Sequence, residues 1–513
     1  MKKVLLSLFT FLITLEIYSQ NPGSLDHSFN GTGCDTIDFH LKNSYPNSIV
    51  IQNDGKIIIS GHSYIEVTSY NYSYNIGLAR YNTDGTRDSL NFGQNGRVLF
   101  PLDDGEAFTL TPTPIALSND GKIILSSNYV DTAFNVGTIL LARLQHDGSI
   151  DSTFGKNGKV VLDTANNYYY GVTNLAIQSD NKILIVGIAI PDSSNYEDIA
   201  IMRFQPEGEI DSTFGTNGIV ITRIRQSGEN SWAKDVSILP DGKILIAAEV
   251  GHNTSDLAIL RYNANGSIDS TFGTNGKTVT VTGFTENDIA NMHILPNGKI
   301  FLTGVSGSSG SNLYDRFVRY DSTGVLDSSF GNGGIILFRG TPIYFSVFQN
   351  DGKIIIAKYS DSVCRFNENG IIDSTFIFER LPIPFSYYDI SALALQPNGS
   401  LLIAGYYDWD FVIARYLGGN VGINEVTNEN NILIFPNPAT NNLAIETPSQ
   451  STINFSNIQG QLIKTLLTTS NKTNVDHVGY SSYVVDISTF PSGVYIVEVK
   501  TEKGVVVKKF VKE

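Results

Sequence analysis

The sequence predicts an all-β protein, a seven-bladed β-propeller closed by its own termini and followed by a small C-terminal β-sandwich. The first observation is a hairpin that returns seven times, its tight turn followed at once by Lys56, Lys122, Lys182, Lys243, Lys299, Lys353 or Ser400. Successive copies lie 66, 60, 61, 56, 54 and 47 residues apart, and each unit contains four alternating apolar runs. Periods of this length with four such runs are typical of propeller blades.

A second hairpin in each unit explains how the ring would close. It carries an Arg followed eight residues later by an Asp, in the pairs Arg80/Asp88, Arg143/Asp151, Arg203/Asp211, Arg261/Asp269, Arg319/Asp327 and Arg365/Asp373. The seventh Arg, Arg415, has no such Asp after it, whereas an unpartnered copy of the Asp segment, SLDHSF with Asp26, occurs near the start of the chain. A last unit completed by the first segment indicates a ring, which a one-dimensional solenoid would not explain.

Each unit is interpreted as four strands. In the third unit these are GVTNLAIQ from Gly171, KILIVG from Lys182, IAIMRF from Ile199 and EIDSTF from Glu209. A Gly five residues after each Arg supplies the positive φ of the second hairpin loop. That loop sets each Arg opposite its Asp, so we expect exposed cross-strand ion pairs that fix the register and contribute ~0–1 kcal/mol each. The alternative is a ligand site repeated in every blade.

The start of the chain has the features of a secretory signal peptide over residues 1–19. Lys2 and Lys3 form its basic region, residues 4–17 its apolar stretch, and Ser19 precedes the expected cleavage before Gln20. The apolar stretch is short for a membrane span, which needs about 20 residues. We therefore expect an exported protein, with an anchor helix as the alternative.

Composition excludes several classes of function. A net charge of −15 disfavours nucleic acid, because a phosphate-binding surface needs clustered Lys and Arg. The two cysteines, Cys34 and Cys364, lie in different repeats and cannot form a disulfide framework. The seven His are scattered without metal-ligand spacing. We expect no metal, no cofactor and a monomer.

The repeats resemble a known family. Units such as GSIDSTFGTNGKTV from Gly266 and LPNGKIFLTG from Leu295 look like the delta-60 repeat, a bacterial β-propeller family of undefined function. The resemblance covers residues 20–418 and implies no catalytic residues. Two departures occur: Ser400 replaces the hairpin Lys in the last unit, and the sixth unit has FIFERL after its Asp-Ser-Thr where the others have a Gly-rich turn.

The composition changes after the last repeat. Residues 419–431 are polar and rich in Gly and Asn, as a linker is. Residues 432–513 alternate apolar positions with Pro and Gly turns, which predicts a small β-sandwich.

This last module resembles the type A C-terminal sorting domain of the type IX secretion system of Bacteroidota. The matching positions are Phe435, Pro436, Asn437, Pro438, Asp486, Gly493, Tyr495, Lys508, Lys509 and Lys512. The resemblance implies partners in the secretion machinery and export to the outer cell surface. It also implies removal of the module by a surface sortase, followed by attachment to lipopolysaccharide or release.

Three functions remain open for the propeller. The first is a binding or adhesion module for a glycan or another cell-surface ligand, and the others are a polysaccharide hydrolase or lyase and a display scaffold. Eleven residues before the first turn Lys or Ser, Asp288 and Asp389 occupy equivalent positions at the start of innermost strands, where a carboxylate pair would suit acid–base chemistry. Such Asp residues more often end a loop.

The aromatic residues indicate which face would bind a ligand. Both hairpin turns of a unit lie on one face, which we call the turn face. The connections from strand two to three and from strand four to the next blade lie on the other, the connection face, and loops on a rigid scaffold usually carry binding. The candidate ligand-binding rings near these connections are Tyr72, Tyr74, Tyr169, Trp232, Tyr388, Tyr407 and Trp409. The alternative is that these rings pack the bases of the loops.

The mature protein is expected to begin at Gln20 and to end within the linker, between residues 418 and 430. Mapping the terminal peptides of surface protein from native cells checks both ends. Surface-located protein that keeps its tail through Lys512 would contradict the expected processing.

Overall fold

The computed structural model describes residues 21–41, 43–68, 71–101, 114–131, 136–162, 168–191, 196–225, 228–252, 254–308, 313–340, 342–358, 362–381, 390–419, 433–436, 438–448, 451–457, 462–467, 480–501 and 504–512. The chain divides into two compact units, Met1–Gly419 and Asn420–Glu513. Within the described residues both units consist of β-strands and connecting turns, which confirms the predicted all-β class.

In unit 1 the described strands form seven separate antiparallel sheets. Strand β1 (Cys34–Ile37) belongs to the last of them. The first sheet contains β2 (Asn43–Ile51), β3 (Ile57–Thr68), β4 (Asn71–Tyr81) and β5 (Arg97–Pro101). The second contains β6 (Ile115–Leu117), β7 (Ile123–Asp131), β8 (Val136–Leu144) and β9 (Lys159–Leu162). The third contains β10 (Tyr168–Ile177), β11 (Ile183–Pro191), β12 (Asp198–Phe204) and β13 (Ile219–Thr222).

The remaining sheets of unit 1 follow the same order. The fourth contains β14 (Asn230–Ile238), β15 (Ile244–Gly251), β16 (Ser255–Tyr262) and β17 (Lys277–Thr280). The fifth contains β18 (Glu286–Ile294), β19 (Ile300–Gly307), β20 (Tyr314–Tyr320) and β21 (Ile335–Arg339). The sixth contains β22 (Ile343–Phe348), β23 (Ile354–Lys358) and β24 (Ser362–Phe366). The seventh contains β25 (Ile390–Leu395), β26 (Leu401–Tyr407), β27 (Asp410–Tyr416) and β1.

Unit 2 has two sheets that share one apolar core. Its strands are β28 (Leu433–Phe435), β29 (Asn442–Pro448), β30 (Thr452–Asn457), β31 (Leu462–Leu467), β32 (Tyr480–Asp486), β33 (Gly493–Thr501) and β34 (Gly504–Lys512). One sheet has the order β28-β29-β32 and the other β31-β30-β33-β34. Leu443 of the first sheet and Phe455 and Val497 of the second are fully buried in that core.

The core of unit 1 lies between neighbouring sheets. Leu184 and Ile201 of the third sheet pack with Ile246 and Ala258 of the fourth. Because the middle strands have a neighbouring sheet on both faces, they are mostly apolar, and all seven residues of β12 are buried, Asp198 and Arg203 included. Burial on both faces explains why runs such as KILIVG and IAIMRF do not alternate strictly with polar residues.

The prediction that EIDSTF forms the fourth strand of the third unit is wrong. Ile210 forms only a single bridge with Phe204, and the chain then turns. Gly215 and Gly218 have φ of 54° and 91°, a backbone that favours Gly, and they reverse the chain. The apolar run after Gly218 therefore becomes the outer strand β13, in which Ile219 pairs with Met202.

The two ends of the repeat region meet as expected. Strand β1 pairs with β27 and completes the seventh sheet, with Cys34 opposite Ala414. The Asp26 amide donates to the Arg415 carbonyl at 2.9 Å, and the Arg415 Nε donates to Asp26 Oδ2 at 2.7 Å. Strand β1 begins eight residues after Asp26, just as the outer strand of the third unit begins eight residues after Asp211. It is therefore the outer strand of the seventh sheet.

The sixth sheet departs from the others. In the described residues it has three strands, and no outer strand follows Phe376. Instead the Ile377 amide donates to the Pro22 carbonyl at 2.8 Å and the Glu379 amide to the Gly23 carbonyl at 2.9 Å. The missing Gly-rich turn leaves this segment extended, and it pairs with the residues that precede Asp26.

The Arg/Asp ion pairs form across strands in every unit as expected, but most of them are buried rather than exposed, and each Arg also joins its sheet to the next. Asp151 is 1% exposed and receives Arg143 Nε at 2.7 Å and Lys122 Nζ at 2.9 Å. A second Arg143 nitrogen donates to the carbonyl of Pro206 in the next sheet's hairpin. The guanidinium also lies 4.9 Å from the centre of the Phe154 ring. One cation therefore holds its own hairpin and the neighbouring one.

This arrangement recurs around unit 1. Each Arg donates to its Asp at 2.7–2.9 Å. The carbonyls that accept from the seven Arg side chains belong to His146, Pro206, Ala264, Ser322, Glu368, Gly418 and Thr83. The last contact, from Arg415 to Thr83, runs from the seventh sheet to the first and makes the series continuous.

The carboxyl groups of the series share a lowered pKa. Burial by itself raises the pKa of Asp151, but hydrogen bonds from Thr153 and Lys122 and the Arg143 guanidinium hold it below its ordinary value. The pKa is also lowered for Asp26, Asp88, Asp211, Asp269, Asp327 and Asp373. A lowered carboxyl pKa in the folded state contributes stability above the ordinary pKa, and that stability is lost as pH falls.

We expect the unfolding temperature to stay nearly constant from pH 7 to about 5 and to fall steeply below about pH 4, where these carboxylates begin to protonate. Asp151→Asn should make the acid limb shallower and lower the free energy of unfolding at pH 7 by about 3 kcal/mol, because the buried Arg143 and the partly buried Lys122 lose their partner. Thermal melts across pH check both. An acid limb that is no shallower in Asp151→Asn would contradict this assignment.

Because the N-terminal segment closes unit 1, replacing the side chain of Asp26 should have a large effect on stability. Asp26→Ala leaves Arg415 buried without its carboxylate and should lower the free energy of unfolding by about 3 kcal/mol. Asp84→Asn is the control, because Asn265 occupies the equivalent turn position in the fourth sheet, and it should change stability by less than about 0.5 kcal/mol. Equal effects of the two changes in urea unfolding would refute closure through Asp26.

Candidate functional site

In the first, third, fourth and fifth repeats two positions meet on the connection face, where the innermost strands begin. They lie eleven residues before and six residues after the hairpin Lys, and they are cross-strand partners: Tyr45 with His62, Trp232 with Glu249. The first strands of adjacent sheets contact one another, for example β10 with β14 and β14 with β18, so they form the inner ring of unit 1. Homologous positions are thus arranged around that ring, and their side chains differ from repeat to repeat.

An aromatic cluster lies where the seventh sheet meets the first. It consists of Tyr45, His62, Tyr64, Tyr406 and Trp409. The Tyr45 ring stacks on its cross-strand partner His62 with centroids 5.1 Å apart. It contacts Tyr406 edge-on at 4.8 Å and Trp409 at 5.8 Å. Closure of unit 1 by its termini therefore creates this cluster.

Trp409 stands at the tip of the cluster in a strained backbone. Asp408 and Trp409 form the two-residue loop between β26 and β27, with φ of 48° and 72°. Such loops need positive φ at both positions and usually contain Asn-Gly, so a Trp there is an outlier. The Ser44 amide donates to the Trp409 carbonyl at 2.9 Å and holds the loop against the first sheet. Trp409 remains 48% exposed.

The cluster is uncharged but has an acidic border. Burial lowers the pKa of His62 to about 4, so the imidazole is neutral at physiological pH. Burial, with Tyr64 nearby, raises the pKa of the Tyr45 hydroxyl. Asp408 and Asp410 flank Trp409, and burial and the neighbouring carboxylates Asp38 and Asp408 raise the pKa of Asp410. Neutral rings beside carboxylate acceptors suit a sugar, which offers an apolar C–H face and hydroxyls at its edge.

A second group of side chains lines a cavity of about 450 Å³ at the fourth and fifth sheets, here called the acidic cavity. Trp232 and Tyr344 supply its rings, and Glu249 and Asp288 supply carboxyl groups. The Lys234 Nζ lies 3.3 Å from Glu249 Oε1 and 2.9 Å from Asp288 Oδ1. Burial raises the pKa of Glu249 to about 8, and Asp288 adds to the shift while Lys234 opposes it.

The structure brings some of the expected ring residues into these two places. Trp409 belongs to the aromatic cluster and Trp232 to the acidic cavity. Tyr407 follows Tyr406 in β26, so its side chain projects from the other face of the strand. Tyr72 and Tyr74 lie in β4 and Tyr169 in β10, with side chains outside the description, and Tyr388 lies outside the described residues.

Tyr45 and His62 were missed, although a signal existed. The alignment that places Asp288 eleven residues before its hairpin Lys places Tyr45 and Trp232 at the same position. Asp288 lies on the wall of the acidic cavity. Its expected partner Asp389 lies outside the described residues, so the carboxylate pair stays a prediction.

In unit 2 the expected sorting positions differ in exposure. Tyr495 is 4% exposed, and its hydroxyl donates to the Pro491 carbonyl at 2.7 Å. Pro436, Pro438, Gly493, Lys508 and Lys509 are exposed, whereas Lys512 is buried. Asn437 and the cleavage residues Ser19 and Gln20 lie outside the described residues. The exposed positions are available to a recognition partner.

In the residues that the structure describes, no group of three or more His, Cys, Asp and Glu is arranged to hold a metal ion. The described elements include no helix with the length and hydropathy of a membrane span.

The fold and its repeated hairpins define a repeat β-propeller protein with a C-terminal secretion domain. Residues 52–90, 118–154, 178–214, 239–272, 295–330 and 349–376 match the model of the domain of unknown function (DUF5122) beta-propeller. Residues 433–513 match the model of the secretion system C-terminal sorting domain. The chain thus carries the repeats of the first family and the type IX sorting tail of the second, which confirms the predicted resemblance and a secreted, cell-surface location.

Several solved structures are similar to this chain at low identity. One is PorZ, a surface component of the type IX secretion system of Porphyromonas gingivalis, with 14% identity, 91% of this chain and 59% of that chain covered, and a TM-score of 0.38. A polysaccharide lyase PL25, an ulvan lyase, has 13% identity, 75% and 96% coverage and a TM-score of 0.42. The propeller domain of the Trilobed protease from Pyrococcus furiosus has 12% identity, 74% and 96% coverage and a TM-score of 0.38. No curated protein matches.

Proposed function

We propose that unit 1 is a glycan-binding module that acts in adhesion at the cell surface, with its ligand on the connection face. The sorting tail directs the protein to the type IX secretion machinery, so the module faces the exterior. We further propose that a surface sortase removes the tail and that the mature monomer is attached to lipopolysaccharide or released. Glycans are the abundant ligands of that environment, and the connection face carries the rings that suit them.

The observation that carries this proposal is the exposed Trp409 ring held in a left-handed backbone. Backbone strain of about 1–3 kcal/mol at a residue persists only where the surroundings enforce it, and it concentrates at functional sites. Here the Ser44 amide and the Tyr45 and Tyr406 rings hold the loop, yet almost half of Trp409 is exposed. A ring fixed in this way is organised before a ligand arrives, which reduces the entropy lost on binding.

Hydrolysis or elimination of a polysaccharide is the alternative, and the charged groups favour it less. A retaining glycosidase separates its two carboxyl groups by about 5 Å and an inverting one by more, so that sugar and water fit between them. Glu249 and Asp288 share the Lys234 ammonium, and the charge of Lys234, together with Glu249, holds the pKa of Asp288 low against the effect of burial. With the Lys234 ammonium between them, the two carboxyl groups suit recognition better than bond cleavage.

Trp409→Gly should weaken glycan binding by about tenfold or more, because a large ring is lost from the contact surface. Its free energy of unfolding should change by less than about 1 kcal/mol, since Gly relieves the left-handed strain while ring contacts of similar size are lost. A glycan array followed by calorimetry with the best ligand measures the first effect, and urea unfolding the second.

Two matched variants make the test specific. Leu90→Ala removes a side chain that is 92% exposed and remote from the cluster, and it should leave binding unchanged. Tyr407→Ala tests the neighbouring ring. If binding survives Trp409→Gly but is lost on altering the turn face, the ligand face is misassigned. If no glycan on the array binds, the proposed function fails.

A further inference from the structure

The acidic cavity offers a second recognition site on the connection face, apart from the aromatic cluster. We propose that it binds the ammonium group of an amino sugar, so that the module distinguishes glycans with free amines from their N-acetylated forms. The proposal rests on the proposed glycan binding and adds the chemical class of the sugar. Three features support it: the residues that line the cavity, the charges around it and the contacts of Lys234.

The walls combine two rings with carboxyl groups. Trp232 and Tyr344 line the cavity, and Tyr344 is 42% exposed. The Trp232 indole N–H donates to the Glu197 carboxylate, which fixes the plane of the ring. The charged lining residues are Glu249, Glu286 and Asp288, and the described lining contains no Lys or Arg. An acidic wall repels uronates and sulfated sugars and attracts cations, which rings also attract through their faces.

Lys234 shows that these carboxyl groups hold an ammonium. Its Nζ sits between Glu249 and Asp288 at 3.3 and 2.9 Å. One ammonium does not neutralise the site: apart from Glu249, whose raised pKa keeps it largely protonated near pH 7, Glu197, Glu286 and Asp288 supply three carboxyl groups, against the cations Lys234 and buried Arg316. The Asp288 side chain is 59% exposed, so its carboxylate stays accessible to a ligand in the cavity.

Residues at equivalent positions show that the combination of Glu249 with Asp288 occurs only where the fourth and fifth repeats meet, although Asp389 of the seventh repeat occupies the same position as Asp288. The positions eleven residues before the hairpin Lys are Tyr45 in the first sheet and Gly171 in the third, but Trp232 and Asp288 here. Six residues after that Lys, the second sheet has Asn128, whose side chain accepts from and donates to the Val172 backbone of the next sheet. Glu249 keeps the accepting role, receiving the Ile289 amide at 2.8 Å, and adds a titratable group.

The same geometry links binding to a proton. Glu249 is 5% exposed, its pKa is about 8, and the charged groups that face it are Lys234, Asp288 and Arg316. A ligand ammonium beside Asp288 favours the ionised form of Glu249, so binding near pH 7 should release a proton.

The test compares glucosamine oligosaccharides with N-acetylglucosamine oligosaccharides of equal length, titrated into the full-length protein by calorimetry. Wild type should bind the free amine at least about tenfold more tightly, and the heat should depend on the ionisation enthalpy of the buffer because a proton is released. Asp288→Asn should remove most of the preference for the amine, and Glu249→Gln should abolish the dependence on buffer. Asp241→Asn is the charge-matched control in the fourth sheet, on the turn face, where Asn297 and Asn398 stand in other repeats.

The outcomes separate this inference from the proposed function. Equal affinity of wild type for both oligosaccharides, or a preference for the acetylated or an anionic sugar, overturns the amine site while the glycan-binding proposal stands. Absence of binding by these sugars and by every other glycan on the array ends both. A preference that persists in Asp288→Asn, in a variant whose melting curve matches wild type, also refutes the site. The comparison of the two sugars on wild type needs no variant to fold.

Discussion

Unit 1 depends on one repeated interaction, the guanidinium that bridges two hairpins of adjacent sheets. Arg143 binds the Asp of its own hairpin, a carbonyl of the next, and the face of Phe154. Each contact stabilises the protein only modestly. Removing a partner, however, leaves an unpaired buried charge, and this costs more free energy than any single bond contributes. Repetition from sheet to sheet, including the contact from Arg415 to Thr83, fixes the relative position of all the sheets. The variable side chains of the connection face stand on this fixed support.

The repeat separates stability from recognition. The hairpin Lys, the Arg, the Asp and the turn Gly recur and hold the turn face, whereas homologous positions at the other end of the strands carry Tyr45, Trp232 or Asp288. Substitutions at those positions change the chemistry presented to the exterior without touching the ion series. The aromatic cluster and the acidic cavity both contain residues from the positions eleven before and six after the hairpin Lys. In the cluster these positions carry rings, and in the cavity they carry carboxyl groups and one ring.

The sequence was informative where a local pattern determines the structure. The spacing between Arg143 and Asp151 predicts their pairing because a hairpin loop of fixed length sets the register. The outer strand was misplaced because Ile210 and Phe214 imitate a strand, and the turn at Gly215 and Gly218 reverses the chain after them. Contacts between sheets, such as Tyr406 with Tyr45, have no signature in either segment. They arise only once the ring closes, so the sequence predicted Trp409 but not the cluster around it.

The position of the closing strand has a consequence for the order of events during folding. The side chains of Asp26 and Arg415 that meet in the seventh sheet are 389 residues apart in the chain. Until the segment with Arg415 has been synthesised, the first strand has no partner, and the hairpins already made expose the faces that their neighbours would cover. Contacts so distant in sequence form slowly. The ring of sheets therefore cannot close until the polypeptide is nearly complete.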